Sequence, residues 1–156
     1  MVKKTTISFV GIGAQKAGTS WLFYNLSSLP SFSLLPKKEL HYFDRSREYP
    51  SPNILSDNRL ITRMANIKWL AGSLKHLSGL ALNNKYDMVR WYSKFYFSDY
   101  NDDWYLSLFE KCGGVSGEIT PAYSMLNEED IIKLRNLLSD VSIILMLRNR
   151  IDRAWS

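Results

Sequence analysis

Residues 13 to 20 read Gly-Ala-Gln-Lys-Ala-Gly-Thr-Ser, close to a phosphate-binding loop. Gly13 and Gly18 have the spacing of the glycines in G-x-x-x-x-G-K-S/T, and Ser20 stands at the hydroxyl position. Thr19 occupies the lysine position, and Lys16 lies inside the loop instead. The physical parts of an anion cradle survive that change. Glycines let backbone N–H groups converge, a following helix offers partial positive charge at its first turn, and Lys16 adds a full charge. A lysine displaced in this way reaches the anion from another side, and no nearby acid marks a magnesium site. Ordinary ATP or GTP hydrolysis is therefore not the expected chemistry. A glycine turn that merely joins a strand to a helix would carry the same residues.

Further candidates lie apart in the sequence. Arg148-Asn149-Arg150 follows the apolar run 141–147, and the planar fork of an arginine suits a phosphate. Lys38-Glu39, taken by itself, is an exposed charge pair, whereas His41 is of a type that titrates near neutral pH. Asp44 fits a local cap or ion pair.

The elements that must position these residues follow from hydrophobic patterning. Ile7–Ile12 predicts a buried strand entering the glycine loop, and Thr19 to about Ser28 a helix stopped before Pro30. From Arg45 to Cys112 the chain is expected to be mostly helical. Leu60, Met64, Ile67, Leu74 and Leu77 recur at helical spacing, with a cap at Ser56 or Asp57 and a stop at Gly79. Two more helices are expected over Asp87–Phe97 and Asp102–Lys111. The aromatic residues crowded between Tyr86 and Tyr105 read as packing between helices, with an acceptor pocket as the alternative. Gly114–Glu118 predicts a short strand. Asn127 followed by Glu128-Glu129-Asp130 starts a helix that turns Ile131, Leu134, Leu137 and Leu138 inward. The run 141–147 predicts a fully buried parallel strand, with Arg148 at its carboxyl edge, where α/β sheets bind ligands. The chain stops at Ser156, about one turn into what should be another helix, so it reads as the N-terminal portion of a longer domain.

Composition narrows the class. A chain of 156 residues, 46% hydrophobic and 22% charged, can bury a core and is neither disordered nor fibrous. One cysteine, Cys112, excludes an internal disulfide, and with only two histidines a Cys/His zinc cage is not expected. No apolar run reaches the roughly 18–20 residues of a membrane span, and the first strand is too short and glycine-broken for a signal peptide. A cytoplasmic protein is expected. The net charge of +5 favours a polyanionic partner without choosing among nucleic acid, membrane and a phosphorylated or sulfated small molecule. No basic stripe marks a nucleic-acid binder.

Four blocks together carry a family resemblance. Gln15-Lys16-Ala17-Gly18-Thr19-Ser20-Trp21-Leu22 resembles the 5′-phosphosulfate loop of sulfotransferases that use 3′-phosphoadenosine 5′-phosphosulfate (PAPS). The segment 147–156, Leu-Arg-Asn-Arg-Ile-Asp-Arg-Ala-Trp-Ser, resembles that family's 3′-phosphate motif. Lys37-Lys38-Glu39-Leu40-His41-Tyr42-Phe43-Asp44 and Gly117-Glu118-Ile119-Thr120-Pro121-Ala122-Tyr123-Ser124 resemble elements of its carbohydrate, heparan-sulfate-like branch.

The resemblance implies an α/β, P-loop-like fold with a central parallel sheet flanked by helices, residues 1–156 forming the N-terminal portion of a sulfotransferase domain. It implies PAPS as sulfuryl donor, no metal, and a saccharide or other small alcohol as acceptor. Lys16, Ala17, Gly18, Thr19, Ser20 and Trp21 would form the 5′ side of the donor site, and Arg148 and Ser156 the 3′-phosphate side. Lys16 would also stabilise charge on the leaving oxygen. Glu39 would be the general base, with His41 as the other candidate. Two departures stand out: Arg150 replaces the usual proline, and Ile119 replaces a lysine that several carbohydrate sulfotransferases carry, which weighs against a polyanionic glycan acceptor. The alternatives are a sulfotransferase-like fragment without catalysis and a P-loop nucleotide kinase or NTPase. The 156 residues alone are expected to be inactive or weakly active.

Overall fold

A computed structural model describes residues 7–149 and 151. Its centre is strand β1 (Phe9–Gly13), with Phe9, Val10, Gly11 and Gly13 all buried. Strands pair with it on both edges, and the run is apolar because successive residues, pointing to opposite faces, are buried. Helix α1 (Thr19–Ser27) follows the glycine loop and leads to β2 (Phe32–Leu34). A helical middle comprises α2 (Leu60–Met64), α3 (Ile67–Leu82), α4 (Tyr86–Tyr96) and α5 (Asp102–Ser107). The chain then returns through β3 (Val115–Ile119), a 3-10 turn at Pro121–Met125, α6 (Glu128–Leu137) and β4 (Ser142–Leu145).

The four strands form one parallel sheet in the order β2-β3-β1-β4. The architecture is therefore the expected α/β one. Parallel strands put all their carboxyl ends on one edge, so the loops after β1, β3 and β4 meet there. The register is tight where Phe9 faces Gly117: a Cβ at Gly117 would lie 2.3 Å from the Phe9 carbonyl oxygen.

The helical middle supplies most of the aromatic core. Tyr42 stacks on Tyr105 at 4.6 Å between ring centres, and Phe43 meets both Tyr105 and Tyr123 edge-on. Phe95, Tyr100, Trp104 and Phe109 are buried in the same cluster. Each such ring contributes about 1.5–3 kcal/mol through burial, with edge or offset contacts adding to it. The crowded aromatic stretch is thus chiefly core.

Several expectations are corrected. Residues 45–59 form turns rather than helix. The pattern from Leu60 to Leu77 splits in two, because the Asn66 side chain accepts from the Trp69 N–H and starts a new helix. Asp99, not Ser56 or Asp57, caps α2 by accepting from the Leu60 N–H at 2.7 Å. Met64, Ile67 and Leu74 are exposed, and Gly79 lies within α3, which runs on to Leu82. Helix α5 ends at Ser107, four residues short of Lys111, and continues as turns. Leu134 in α6 and Leu138 at its C-cap are buried and Leu137 packs against the same core, but Ile131 is exposed. Strand β4 is a sheet edge, with Ile143 and Leu145 about half exposed (49% and 50%). A continuous apolar run specifies a parallel strand but not how many neighbours cover it.

Candidate active site

The glycine loop turns at the carboxyl end of β1. Gly13 has φ of 129°, and a Cβ there would sit 2.7 Å from the Pro121 carbonyl oxygen. Gly18, at φ 95°, is the N-cap of α1, and no side chain caps that helix. The first-turn amides are thus left to face an anion, where the helix dipole favours one. Backbone pairing of Ala14 N–H with the Met146 carbonyl (2.9 Å), and of Met146 N–H with that of Gly13 (2.7 Å), ties the loop to the end of β4. Through that tie Arg148 comes within 3.5 Å of the Lys16 carbonyl oxygen, although 132 residues separate them.

The opposite wall is the segment 37–44. Lys38 donates to Ser20 Oγ at 2.9 Å and to Glu39 Oε1 at 2.6 Å. His41 pairs through Nδ1 with Asp44 at 2.7 Å, and its Nε2 lies 3.7 Å from Glu39 Oε2, an ion-pair separation. These contacts set the charges. The neighbouring His41 outweighs the effect of burial and, with Lys38, holds the Glu39 carboxyl down to about 2. Burial pulls the His41 imidazole down, but Asp44 and Glu39 together raise it to about 9. At neutral pH Glu39 is a carboxylate and His41 an imidazolium. Of the two, Glu39 is the one in a form able to accept a proton.

Between the walls lies a cleft of about 520 Å³. Lys16, Gly18, Thr19, Ser20, Glu39, His41 and Arg148 all line it, so most of the sequence-derived candidates meet there. Ala17 is buried below the loop, and Trp21 projects outward at 66% exposure without lining the cleft. Ser156, and Arg150 with it, fall outside the described residues. Lys38, in sequence half of an exposed pair, has a side chain only 21% exposed and bridges the two walls. Its position between a second lysine and the glutamate, in a block resembling a family motif, was the available signal. Among the described residues no three His, Cys, Asp or Glu gather as a metal site, and no helix is long and apolar enough to cross a membrane.

No protein-family model matches the sequence, and no match is found among curated proteins. Among solved structures the chain is similar to a sulfotransferase from Alicyclobacillus acidocaldarius, with 25% sequence identity and a TM-score of 0.55. The match covers 96% of this chain and 47% of that one, so this chain spans about half the length of its neighbour. The protein has a sulfotransferase-like fold.

Proposed function

We propose that this chain carries the donor site of a sulfotransferase that moves a sulfuryl group from PAPS to a hydroxyl of a saccharide or other small alcohol. The observation that carries the reading is the meeting of Lys16, Ser20, Lys38 and Arg148 around one cleft, at the uncapped start of α1, with an ionised Glu39 on the opposite wall.

The residues fit the donor chemically. Gly18 lacks a side chain where the backbone turns toward the cleft, so its amide and those of Thr19 and Ser20 can approach a phosphate, while Lys16 supplies charge. Arg148 offers a planar fork for a second phosphate, the group that separates this donor from ATP. The donor itself supplies an activated sulfuryl group. Lys38, shared between Ser20 and Glu39, is drawn toward any anion in the cleft. That shift releases the shortest cationic contact of Glu39 and makes it a better acceptor for the proton of an attacking hydroxyl. His41, held by Asp44, keeps its charge and orients Glu39.

The acceptor enters from the helical middle. A groove of about 390 Å³ there is lined by Lys37, Trp69, His76, Tyr92 and Tyr96, and Lys37 directly precedes the cleft residues Lys38 and Glu39. Aromatic faces of this kind suit a sugar ring or another compact alcohol. Ile119 is wholly buried and brings no charge toward the acceptor, which favours a weakly charged one.

The test is calorimetric titration with 3′-phosphoadenosine 5′-phosphate, with ADP as control and no metal added. Binding that prefers the 3′-phosphate, and is lost in Arg148→Ala, is expected. Equal binding of ADP, or no binding by the folded chain, would overturn the reading.

A further inference from the structure

Glu118 is the fourth residue of β3 and only 3% exposed, yet the cleft does not use it directly. Its carboxylate accepts three hydroxyls: Tyr105 Oη at 2.6 Å and Tyr123 Oη at 3.2 Å on Oε1, and Thr120 Oγ1 at 2.9 Å on Oε2. Two of these hydroxyls also accept backbone N–H groups from the cleft wall. Leu40 N–H donates to Thr120 Oγ1 at 3.1 Å, and Tyr42 N–H to Tyr123 Oη at 3.0 Å.

The alternation along that wall is informative. Leu40 and Tyr42 are fully buried and pinned, while Glu39 and His41, which line the cleft, have φ of 61° and 57°. Left-handed backbone at a residue other than glycine costs about 1 kcal/mol or more, and persists only where surrounding contacts impose it. Two such residues, separated by one, need a fixed frame. The hydrogen bonds donated by the Leu40 and Tyr42 N–H groups are placed to supply it.

A hydroxyl has one proton. When that proton goes to Glu118, the oxygen's lone pairs are left facing the amides. We propose that Glu118 is a positioning residue: its carboxylate orients the Thr120 and Tyr123 hydroxyls so that they clamp Leu40 and Tyr42, and thereby holds Glu39 and His41 toward the cleft. A group of the same shape that donates a hydrogen bond would turn a hydroxyl around and break the clamp. The assignment of Glu39 as proton acceptor rests on the function proposed above, but the clamp can be tested without it.

The experiment is amide hydrogen exchange on the full chain, read at Leu40, Tyr42 and, for the sheet, Val10. Glu118→Gln should speed exchange by roughly tenfold or more at Leu40 or at Tyr42, whichever hydroxyl faces the new amide NH2, while Val10 stays protected. Thr120→Val should act on Leu40 and Tyr123→Phe on Tyr42, which keeps the test decisive if Glu118→Gln does not fold. Tyr105→Phe removes a hydroxyl from Glu118 but no bond to the wall, and should leave both amides protected. Unchanged protection of Leu40 in Thr120→Val and of Tyr42 in Tyr123→Phe would overturn the clamp, as would equal loss in Tyr105→Phe. In the clamp variants the His41 imidazole, followed by NMR titration, should fall from about 9 toward its ordinary range as Glu39 moves away, while 3′-phosphoadenosine 5′-phosphate binds as before, because Lys16 and Arg148 are untouched. Protected amides with intact donor binding sink the clamp alone. Loosened amides with no donor binding even in the parent chain sink the functional reading alone.

Discussion

Lys38 Nζ donates to Ser20 Oγ at 2.9 Å and so joins the start of α1 to the segment that carries Glu39. The same ammonium lies 2.6 Å from Glu39 Oε1, so one cation answers to both walls of the cleft. Replacing it tests both contacts. Lys38→Met should raise the Glu39 carboxyl from about 2 toward its ordinary range, followed by NMR titration of the side chain. It should also weaken 3′-phosphoadenosine 5′-phosphate binding by roughly tenfold, the loss of one charge-assisted contact. Unaltered affinity in calorimetry would remove Lys38 from the anion-holding set.

His41 gives a pH dependence with a definite sign. Its folded-state pKa, about 9, is raised above the ordinary 6.5, so the stability it contributes is fully present below pH 6.5 and is lost as pH rises through 9. Denaturant titrations should show the parent chain losing stability between those limits faster than His41→Gln. Parallel curves would mean that His41 is not held as an imidazolium. Glu39 has the opposite sign: its contribution is present above pH 4.5 and is lost as pH falls through 2, and solvent screening weakens it at a side chain 36% exposed.

Two glycines should respond oppositely to alanine. Gly117→Ala drives a Cβ to within 2.3 Å of the Phe9 carbonyl oxygen in the middle of the sheet, and should cost roughly 1–3 kcal/mol or more. Gly79 lies inside α3 with nothing within 4 Å of its would-be Cβ, so Gly79→Ala should stabilise by about 0.5–1 kcal/mol. Urea denaturation of the pair checks the sheet register and the continuity of α3 together; a neutral Gly117→Ala would contradict the Phe9–Gly117 pairing.

The Asn127 side chain accepts from the Asp130 N–H at 2.9 Å and opens α6 beneath three acidic residues. Asn127→Ala should cost about 1 kcal/mol, and Asn127→Asp should recover it, since aspartate accepts the same bond and suits the dipole. Thermal melts of the three proteins give the comparison, and equal melting temperatures would deny the cap a role.

What could be read in the sequence was set by local rules. A glycine loop between an apolar run and a helix allows little besides a strand-turn-helix unit with its amides turned outward, and Gly13 and Gly18 do adopt the positive φ this requires. Asn127 and its acids started α6 where capping demands, and Leu134 and Leu138 fell inside by periodicity. Lys16, Ser20, Glu39, His41 and Arg148 could be nominated by residue type and motif, because charge and proton affinity belong to the side chain.

Long-range partners were decided only by the tertiary structure. Asp99 caps a helix 39 residues earlier, Asn66 divides a periodic run, and β4 keeps an exposed edge although its sequence is as apolar as that of β1. The electrostatics of the site instead turn on how one short segment folds, with left-handed backbone at Glu39 and His41. Sequence puts Glu39 ahead of His41 as base only through the resemblance, and the contacts of Lys38, Asp44 and each other drive their proton affinities apart. Glu118 shows the same division. Its type was plain from the start, but its role depends on three hydroxyls from α5 and the loop after β3 converging on one buried carboxylate, since a hydrogen bond depends on distance in space and not along the chain.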